Sequence, residues 1–287
     1  MHTRTVFRRF WAITLVMLTL VACRGSQTQP QAGSTDVLAQ IKREKTIVAG
    51  WAPYPPYTSK NPSTGAVEGF YVDLFNRVAL EGGLKVQWVE TTWGTMIADL
   101  NTGKFQVMAA PVFRTVPRSL EVSFTRSIDY FGYSAVVRKA ESRFRQIGDF
   151  NSPQVRIAVT QGEVGQEFAQ RNLPRAQLVV HRSGDISLAL VDVIQGRADV
   201  GIADAWTIKQ FAAAHPNEVS DLFGERPFYN VGAGWFVRPR DGELLEFLNS
   251  SIDWLESTGT IRQIATRYEL ASSFTPGMPA GDMAQRR

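Results

Sequence analysis

Val107-Met-Ala-Ala-Pro-Val-Phe-Arg-Thr-Val-Pro-Arg118 is the stretch from which the rest of the chain can be read. Its opening apolar run, Val107 to Ala110, has the length of a buried strand. Pro111 cannot donate to a sheet ladder, so the strand is predicted to break there. Thr115 can cap a helix, and Pro117 falls in that helix's first turn, where a missing N–H costs least. The stretch therefore reads as strand, loop and helix start. Free backbone N–H groups and the positive end of the helix dipole gather at such a point. Arg118 adds a fixed charge whose planar fork of donors suits a carboxylate. By itself the same spacing also fits a surface turn with a solvated arginine.

On either side, strands alternate with helices. Asp36 caps a short amphipathic helix, and Thr46 to Gly50 is a strand. Trp51-Ala-Pro-Tyr-Pro-Pro-Tyr57 holds too many prolines for regular structure and reads as a rigid loop displaying aromatics. A helix is predicted over 72–80, with Val72, Phe75, Val78 and Ala79 on its apolar face. Lys85 to Glu90 alternates as a strand does. Trp93 is read as heading the next helix, which places Met96, Ile97 and Leu100 on one face. Past the long extended run Ile128 to Val137, the alternation resumes: strand 155–159, helix 165–172, strand 177–180, helix 186–195, strand 200–203 and helix 205–214. A second extended run, Tyr229 to Val237, leads to helices over 243–256 and 260–268, the first ended by Gly259. This pattern predicts an α/β architecture with a mainly parallel sheet. Two α/β units flanked by two similar extended stretches imply two lobes joined by two crossings. The predicted bounds are residues 37–137 with 232–270 for lobe one and 138–231 for lobe two. Ligands in open α/β sheets sit beyond the carboxyl ends of the strands. Tyr54, Trp93 and the 111–118 turn follow strands of the first lobe; Gln161-Gly162-Glu163 and Asp204 follow strands of the second.

The ends of the chain carry other signals. Residues 1–22 have a basic end (Arg4, Arg8, Arg9) and an apolar core, Phe10 to Leu20, too short for a comfortable membrane span. Leu20-Val-Ala-Cys23 resembles the lipobox of bacterial lipoproteins, which implies a signal peptide over 1–22 and lipidation of Cys23. An ordinary signal peptide with an incidental cysteine is the other reading. Arg24, rather than an aspartate, follows the cysteine, which under that resemblance favours the outer membrane of a Gram-negative cell. Residues 23–36 read as a flexible tether and 271–287 as a loose tail. The formal charge of +4 owes much to the leader: without it 28 basic residues face 27 acidic ones. No basic stripe supports a nucleic-acid partner. Cys23 is the sole cysteine, so no intramolecular disulfide forms. His181 and His215 show no metal spacing, no phosphate-binding Gly-x-x-x-x-Gly-Lys loop is present, and no cofactor is implied.

Tyr54-Pro-Pro-Tyr57, Gly69-Phe-Tyr-Val-Asp-Leu74, Thr115-Val-Pro-Arg118 with Ser123-Phe124, Gln161-Gly-Glu-Val-Gly165, and Gly196-Arg-Ala-Asp199 with Asp204 occur in an order and spacing that resemble the bacterial extracellular solute-binding proteins, family 3, which serve polar-amino-acid ABC transporters. The likeness spans about residues 37–270. It implies a periplasmic-binding-protein-like type II fold, two α/β lobes joined by two crossover strands around a ligand cleft. It also implies an ABC permease as partner, a location on the periplasmic side of the envelope, and action as a monomer. In that family the arginine holds the ligand's α-carboxylate and the lobe-two aspartate its ammonium; here these are Arg118 and Asp204. Tyr54 and Trp93 take the aromatic sandwich positions, and Thr115, Phe113, Gly162 and Glu163 complete the candidate ligand-binding set.

The departures narrow the ligand. Phe113 stands where amino-acid binders usually carry Thr or Ser, Pro111 where they carry Gly or Ser, and Trp51 where basic-amino-acid binders often carry an acid. The resemblance with these changes implies a carboxylated solute with an apolar or aromatic portion, and not lysine or arginine. Glu141-Ser-Arg-Phe144, the Phe168-Ala-x-x-Asn-Leu173 segment and Val179-Val-His181 also resemble cyclohexadienyl dehydratase. In register, that enzyme's general acid falls on Gln166, and an amide has no transferable proton. Glu167 follows, turned about 100° away on a helix. Glu163 is the other acid at hand, although a solvated charge at a helix N-terminus is the simpler expectation for it. A binding protein, not an enzyme, is therefore expected.

Overall fold

The computed structural model describes residues 36–182, 185–224 and 226–270. The expected leader, the lipidated Cys23, nearly all of the tether and the tail from 271 lie outside the described residues. Helix α1 (Val37–Glu44) is capped as predicted: the Asp36 side chain accepts from Ala39 N. Strand β1 (Thr46–Trp51) follows, then a small hairpin of β2 (Ser59–Lys60) and β3 (Val67–Glu68), α2 (Phe70–Glu81), β4 (Lys85–Glu90), α3 (Met96–Asn101), β5 (Val107–Phe113), α4 (Val116–Ser119) and β6 (Ser123–Phe124). The long β7 (Asp129–Arg138) leads to β8 (Arg156–Thr160), α5 (Val164–Asn172), β9 (Gln177–His181), α6 (Ser187–Ile194), β10 (Val200–Asp204), α7 (Ala205–Ala214) and β11 (Val219–Asp221). The chain returns through β12 (Tyr229–Val237) to α8 (Gly242–Ser257) and α9 (Thr260–Arg267).

The main sheet runs β4-β1-β5-β12-β7-β10-β8-β9. Its outer strands are parallel within each half: β4, β1 and β5 on one side, β10, β8 and β9 on the other. The two long strands between them are antiparallel to each other and to their outer neighbours. The fold is thus of the type II periplasmic-binding-protein kind, two α/β lobes joined by crossing strands. The expectation of a mainly parallel sheet is corrected to a mixed one. Hydrophobic periodicity marks a strand but carries no direction, and both crossing strands meet their lobes antiparallel. β7 pairs with β12 over Asp129 to Tyr133 and with β10 over Tyr133 to Val137, so its partner changes at Tyr133.

Pro111 does not end its strand. β5 continues to Phe113, buried along its whole length. The register explains this: β12 pairs at Phe113 and Val112 and again at Met108, with a shift between Gly234 and Phe236. Three residues of β5, Pro111 among them, lie opposite the single Trp235. A bulge is where a strand tolerates a residue that cannot donate. The predicted helix over 72–80 starts earlier, at Phe70, next to Gly69, whose φ of +128° and 2.4 Å Cβ approach to Tyr57 O admit only glycine. Trp93 does not head a helix; α3 begins at Met96. Gly259 takes the left-handed conformation expected of it, φ +71°. Leu244, Leu248, Ile252 and Leu255 bury the inner face of α8 against α1, α2 and β12.

Asp199, in the Gly196-Arg-Ala-Asp199 turn, fastens lobe two at the end away from the cleft. Its carboxylate takes Arg138 at 3.3 Å, Arg143 at 3.0 Å, and Arg156 through both side chain (3.1 Å) and backbone N (2.9 Å). His181 pairs with Asp192 of α6. Among the described residues no group of three or more His, Cys, Asp or Glu could hold a metal ion, and no helix is long and apolar enough to cross a membrane.

Candidate functional site

The turn after β5 positions the arginine. Thr115 is extended, with φ −111° and ψ 154°, and its hydroxyl accepts from Arg118 N at 3.4 Å. Pro117 sits in the first turn of α4, as its missing N–H allows. One turn of helix then carries Arg118 inward, where it is 6% exposed. The surface-turn reading is excluded. Its guanidinium donates through Nη1 to Phe113 O (3.0 Å) and through Nη2 to Gly162 O (2.6 Å), and Nε pairs with Glu167 Oε1 at 2.9 Å. The last two contacts cross from one lobe to the other.

On the lobe-two side, Gly162 has φ +77°, and a Cβ on it would stand 2.7 Å from Trp93 O and 2.8 Å from Gly94 Cα. Only a glycine lets these two loops approach so closely. Gln166 turns its side-chain oxygen back to Gly162 N (2.8 Å) and pins the loop. Glu163 caps α5 by accepting from Gly165 N, and it also accepts the Tyr133 hydroxyl at 2.7 Å. The expectation of a solvated charge is corrected: Glu163 is 5% exposed. Tyr133, from the crossing strand, covers it. Burial, with a smaller push from Asp204, raises its carboxyl to about 7 against the opposing pull of Tyr133 and Arg118.

Asp204 ends β10 and caps α7, Oδ1 accepting from Thr207 N at 2.9 Å. It is 1% exposed, and burial raises its pKa. The Tyr54 hydroxyl lies near enough to stabilise the Asp204 charge without completing a hydrogen bond of ordinary geometry. Around Tyr54 the aromatic side chains pack on one another: Tyr57 stacks at 5.0 Å, Phe113 meets it edge-on at 6.5 Å and Trp93 at 6.0 Å. The Tyr54 and Trp93 planes stand at 89°, so in this closed arrangement they do not face each other as two parallel walls.

All eight candidate residues therefore share one neighbourhood at the strand ends. Two hollows flank it. One of about 540 Å³ lies between the 53–55 loop and α6 and α7, with Tyr54, Trp206, Thr207 and Phe211 among its lining. The other, about 330 Å³, is lined by Arg114, Thr115, Glu167, Arg171 and Tyr229. Five buried polar atoms in this region lack a hydrogen-bond partner: Tyr54 OH, Trp93 Nε1, Thr160 Oγ1, Glu167 Oε2 and Asp204 Oδ2. Buried polar groups are nearly always paired, so such a cluster marks a place where a polar solute can be received. Sequence reasoning missed Tyr133, Thr160 and Glu167. For Glu167 a signal existed: it lies four residues after Glu163, hence on the same face of α5.

The matches with known proteins agree with this architecture. Residues 47–271 match the bacterial extracellular solute-binding proteins, family 3, and the chain belongs to that family. A probable amino-acid ABC transporter-binding protein of Haemophilus influenzae is 27% identical over 81% of this chain and 88% of its own length. Cyclohexadienyl dehydratase of Pseudomonas aeruginosa is 26% identical over 75% of this chain and 79% of its own. A solved ancestral amino acid-binding protein, described as a precursor of cyclohexadienyl dehydratase, superposes with a TM-score of 0.71 at 28% identity, over 81% of this chain and 99% of that one. The family and the binding-protein relatives support a substrate-binding role.

Proposed function

We propose that this chain is a lipid-anchored substrate-binding protein of an ABC transporter, closing its lobes on a small carboxylated solute and delivering it to a membrane permease. Lipid on Cys23 would hold it on the periplasmic side of the envelope, at the outer membrane in a Gram-negative cell, and it acts as a monomer. The lobes are taken as residues 37–137 with 232–270, and 138–231. The observation that carries the reading is a pair of opposite charges, Arg118 and Asp204, buried at strand ends of opposite lobes and both within electrostatic reach of Glu163. A zwitterion needs one cation and one anion on opposite sides of the cleft, and lobe closure follows when each lobe supplies one. Phe113, Tyr54 and Trp93 supply the surface for an apolar or aromatic portion. A thermal-shift screen of amino acids, organic acids and aromatic metabolites identifies the solute. Arg118→Ala is then expected to weaken its binding by about 2–5 kcal/mol, because a charge partner inside the cleft is lost. An unchanged dissociation constant by calorimetry would refute the assignment of Arg118.

A second reading, a dehydratase on the same fold, is favoured by one observation. Glu163 is a cleft carboxyl that burial brings to about 7, where a general acid is effective. Against it, the position that matches the enzyme's acid is Gln166, whose amide is engaged with Gly162 N. Incubation with prephenate or arogenate decides between them: aromatic product would establish the enzyme.

A further inference from the structure

We propose that Glu167 serves as a built-in substitute for the solute's carboxylate, latching the empty protein shut through Arg118, so that an entering carboxylate has to displace it. The inference rests on the reading of Arg118 as the carboxylate site.

The geometry is that of a filled site. Every nitrogen of the Arg118 guanidinium faces a protein acceptor: Phe113 O, Gly162 O and Glu167 Oε1. The planar fork that would grip a ligand carboxylate is thus engaged by one from lobe two. Glu167 is not needed to build its helix, since Glu163 already caps α5. The latch is also built to release. It rests on one Nε contact at 2.9 Å, and the second Glu167 oxygen has no hydrogen-bond partner. Glu167 is about a quarter exposed, whereas Arg118 is buried.

A second berth for Glu167 lies on its own helix. Arg171 stands four residues further along α5, lines the same 330 Å³ hollow and makes no salt bridge among the described residues. A glutamate four residues ahead of an arginine is the favourable order for a pair along a helix. Glu167 therefore has two alternative cations, Arg118 when the cleft is empty and Arg171 when a solute carboxylate holds Arg118. The latched fraction cannot bind a carboxylate at Arg118. If it is nine-tenths of the empty protein, apparent affinity falls roughly tenfold. The penalty falls on solutes that take Arg118 in the closed complex, whereas an amine leaves the Arg118–Glu167 pair in place there, so Glu167 sets both resting closure and discrimination between solutes with and without a carboxylate.

Two measurements test this on the full chain. The first uses no solute. Spin labels at the exposed positions Lys60 and Lys209, placed as Lys60→Cys and Lys209→Cys in a Cys23→Ser background, report the distance between lobes. Glu167→Gln, with Glu167→Ala as a second variant, is expected to shift the distribution to longer distances than Glu167 gives. Superimposable distributions, in variants whose circular dichroism matches the parent, overturn the latch. The second measurement uses matched pairs differing by one carboxylate, L-tyrosine with tyramine and L-phenylalanine with phenethylamine. Glu167→Gln is expected to tighten the amino acid of a pair by roughly tenfold more than its amine. Equal shifts overturn the competition at Arg118. If no member of either pair binds either protein, the choice of solute fails while the label distances still decide the latch.

Discussion

Gly162→Ala separates the cost of folding from the cost of closing. The backbone at 162 is left-handed, φ +77°, which costs a residue with a Cβ about 1–2 kcal/mol in any state of the folded protein. For a domain of this size that lowers the melting temperature by only a few degrees, roughly 2–8 °C. The second cost exists only when the lobes are together. A Cβ would then lie 2.7 Å from Trp93 O and 2.8 Å from Gly94 Cα, both backbone atoms, where ordinary contact begins near 3.4 Å. The lobes must part by about 0.7 Å, or the loops must deform; overpacking of this kind costs about 1–3 kcal/mol. The ligand-free protein escapes the clash by giving up its roughly tenfold latch, so affinity for the solute found by screening should fall by roughly 1.5- to 15-fold while the ligand-free protein remains nearly as stable as before. Calorimetric titration beside ligand-free melting measures both. Gly94→Ala is the control: its Cβ would meet only the Gln161 side chain, at 3.7 Å, and should leave affinity unchanged. A Gly162→Ala protein that binds as tightly as the parent would show that the loop contact in this structure is absent from the ligand-bound form.

Asp204→Asn keeps an oxygen for Thr207 N and so should cost less than about 1 kcal/mol of stability, yet weaken a primary amine by about 2–5 kcal/mol; calorimetry with the matched amines reads the effect, and unchanged amine binding would remove Asp204 from the site. Asp129, buried in β7 with the backbone N–H of Tyr130 on its carboxylate, is raised from 3.8 to about 7 by burial. Its folded pKa exceeds its unfolded one, so the stability gained from holding the proton is complete below about pH 4 and disappears as pH rises through 7. Asp129→Asn should thus stabilise the protein above neutral pH by about 2–4 kcal/mol and hardly at all near pH 4. Denaturant melts across that range test it. Glu163 titrates in the same window, so part of the parent's pH dependence persists in the variant.

Much of the cleft was legible because its parts are local. Thr115, Pro117 and Arg118 form one capped turn, and the cap alone sends the arginine inward. Asp204 ends a strand and starts a helix, so its position at the cleft follows from chain direction. What escaped depends on partners distant in sequence. Pro111 could remain in β5 only because β5 bulges there against the single Trp235 of β12, a partner more than a hundred residues later. Glu163 could be buried only because Tyr133 of the crossing strand supplies a hydroxyl. Glu167 looked idle when judged by its angle from Gln166, since its partner Arg118 sits on the other lobe. Local pattern fixes which residues reach the cleft; tertiary pairing fixes what each one does there.

Charge balance in the cleft ties these roles together. Glu167 pairs with Arg118, and Glu163 lies within electrostatic reach of both Arg118 and Asp204, so three carboxylates share the cleft with one guanidinium. Burial of an unpaired charge is costly, so the excess has to be removed by a proton or by a cation. In this structure Glu167 pairs with Arg118, and burial raises the pKa of both Glu163 and Asp204, toward the protonated form. A zwitterionic solute changes the pairing without adding net charge. On the proposed assignment its ammonium would meet Asp204, whose Oδ2 is unpartnered, its carboxylate would take Arg118, and Glu167 would move to Arg171, which lines the same hollow. Glu163, between the two charged contacts, interferes least when it keeps its proton, and Tyr133 and Gly165 hold it in place meanwhile. On these terms an acid-rich cleft could accept a carboxylate, because burial raises Glu163 to about 7, where it readily takes a proton, and Glu167 could leave.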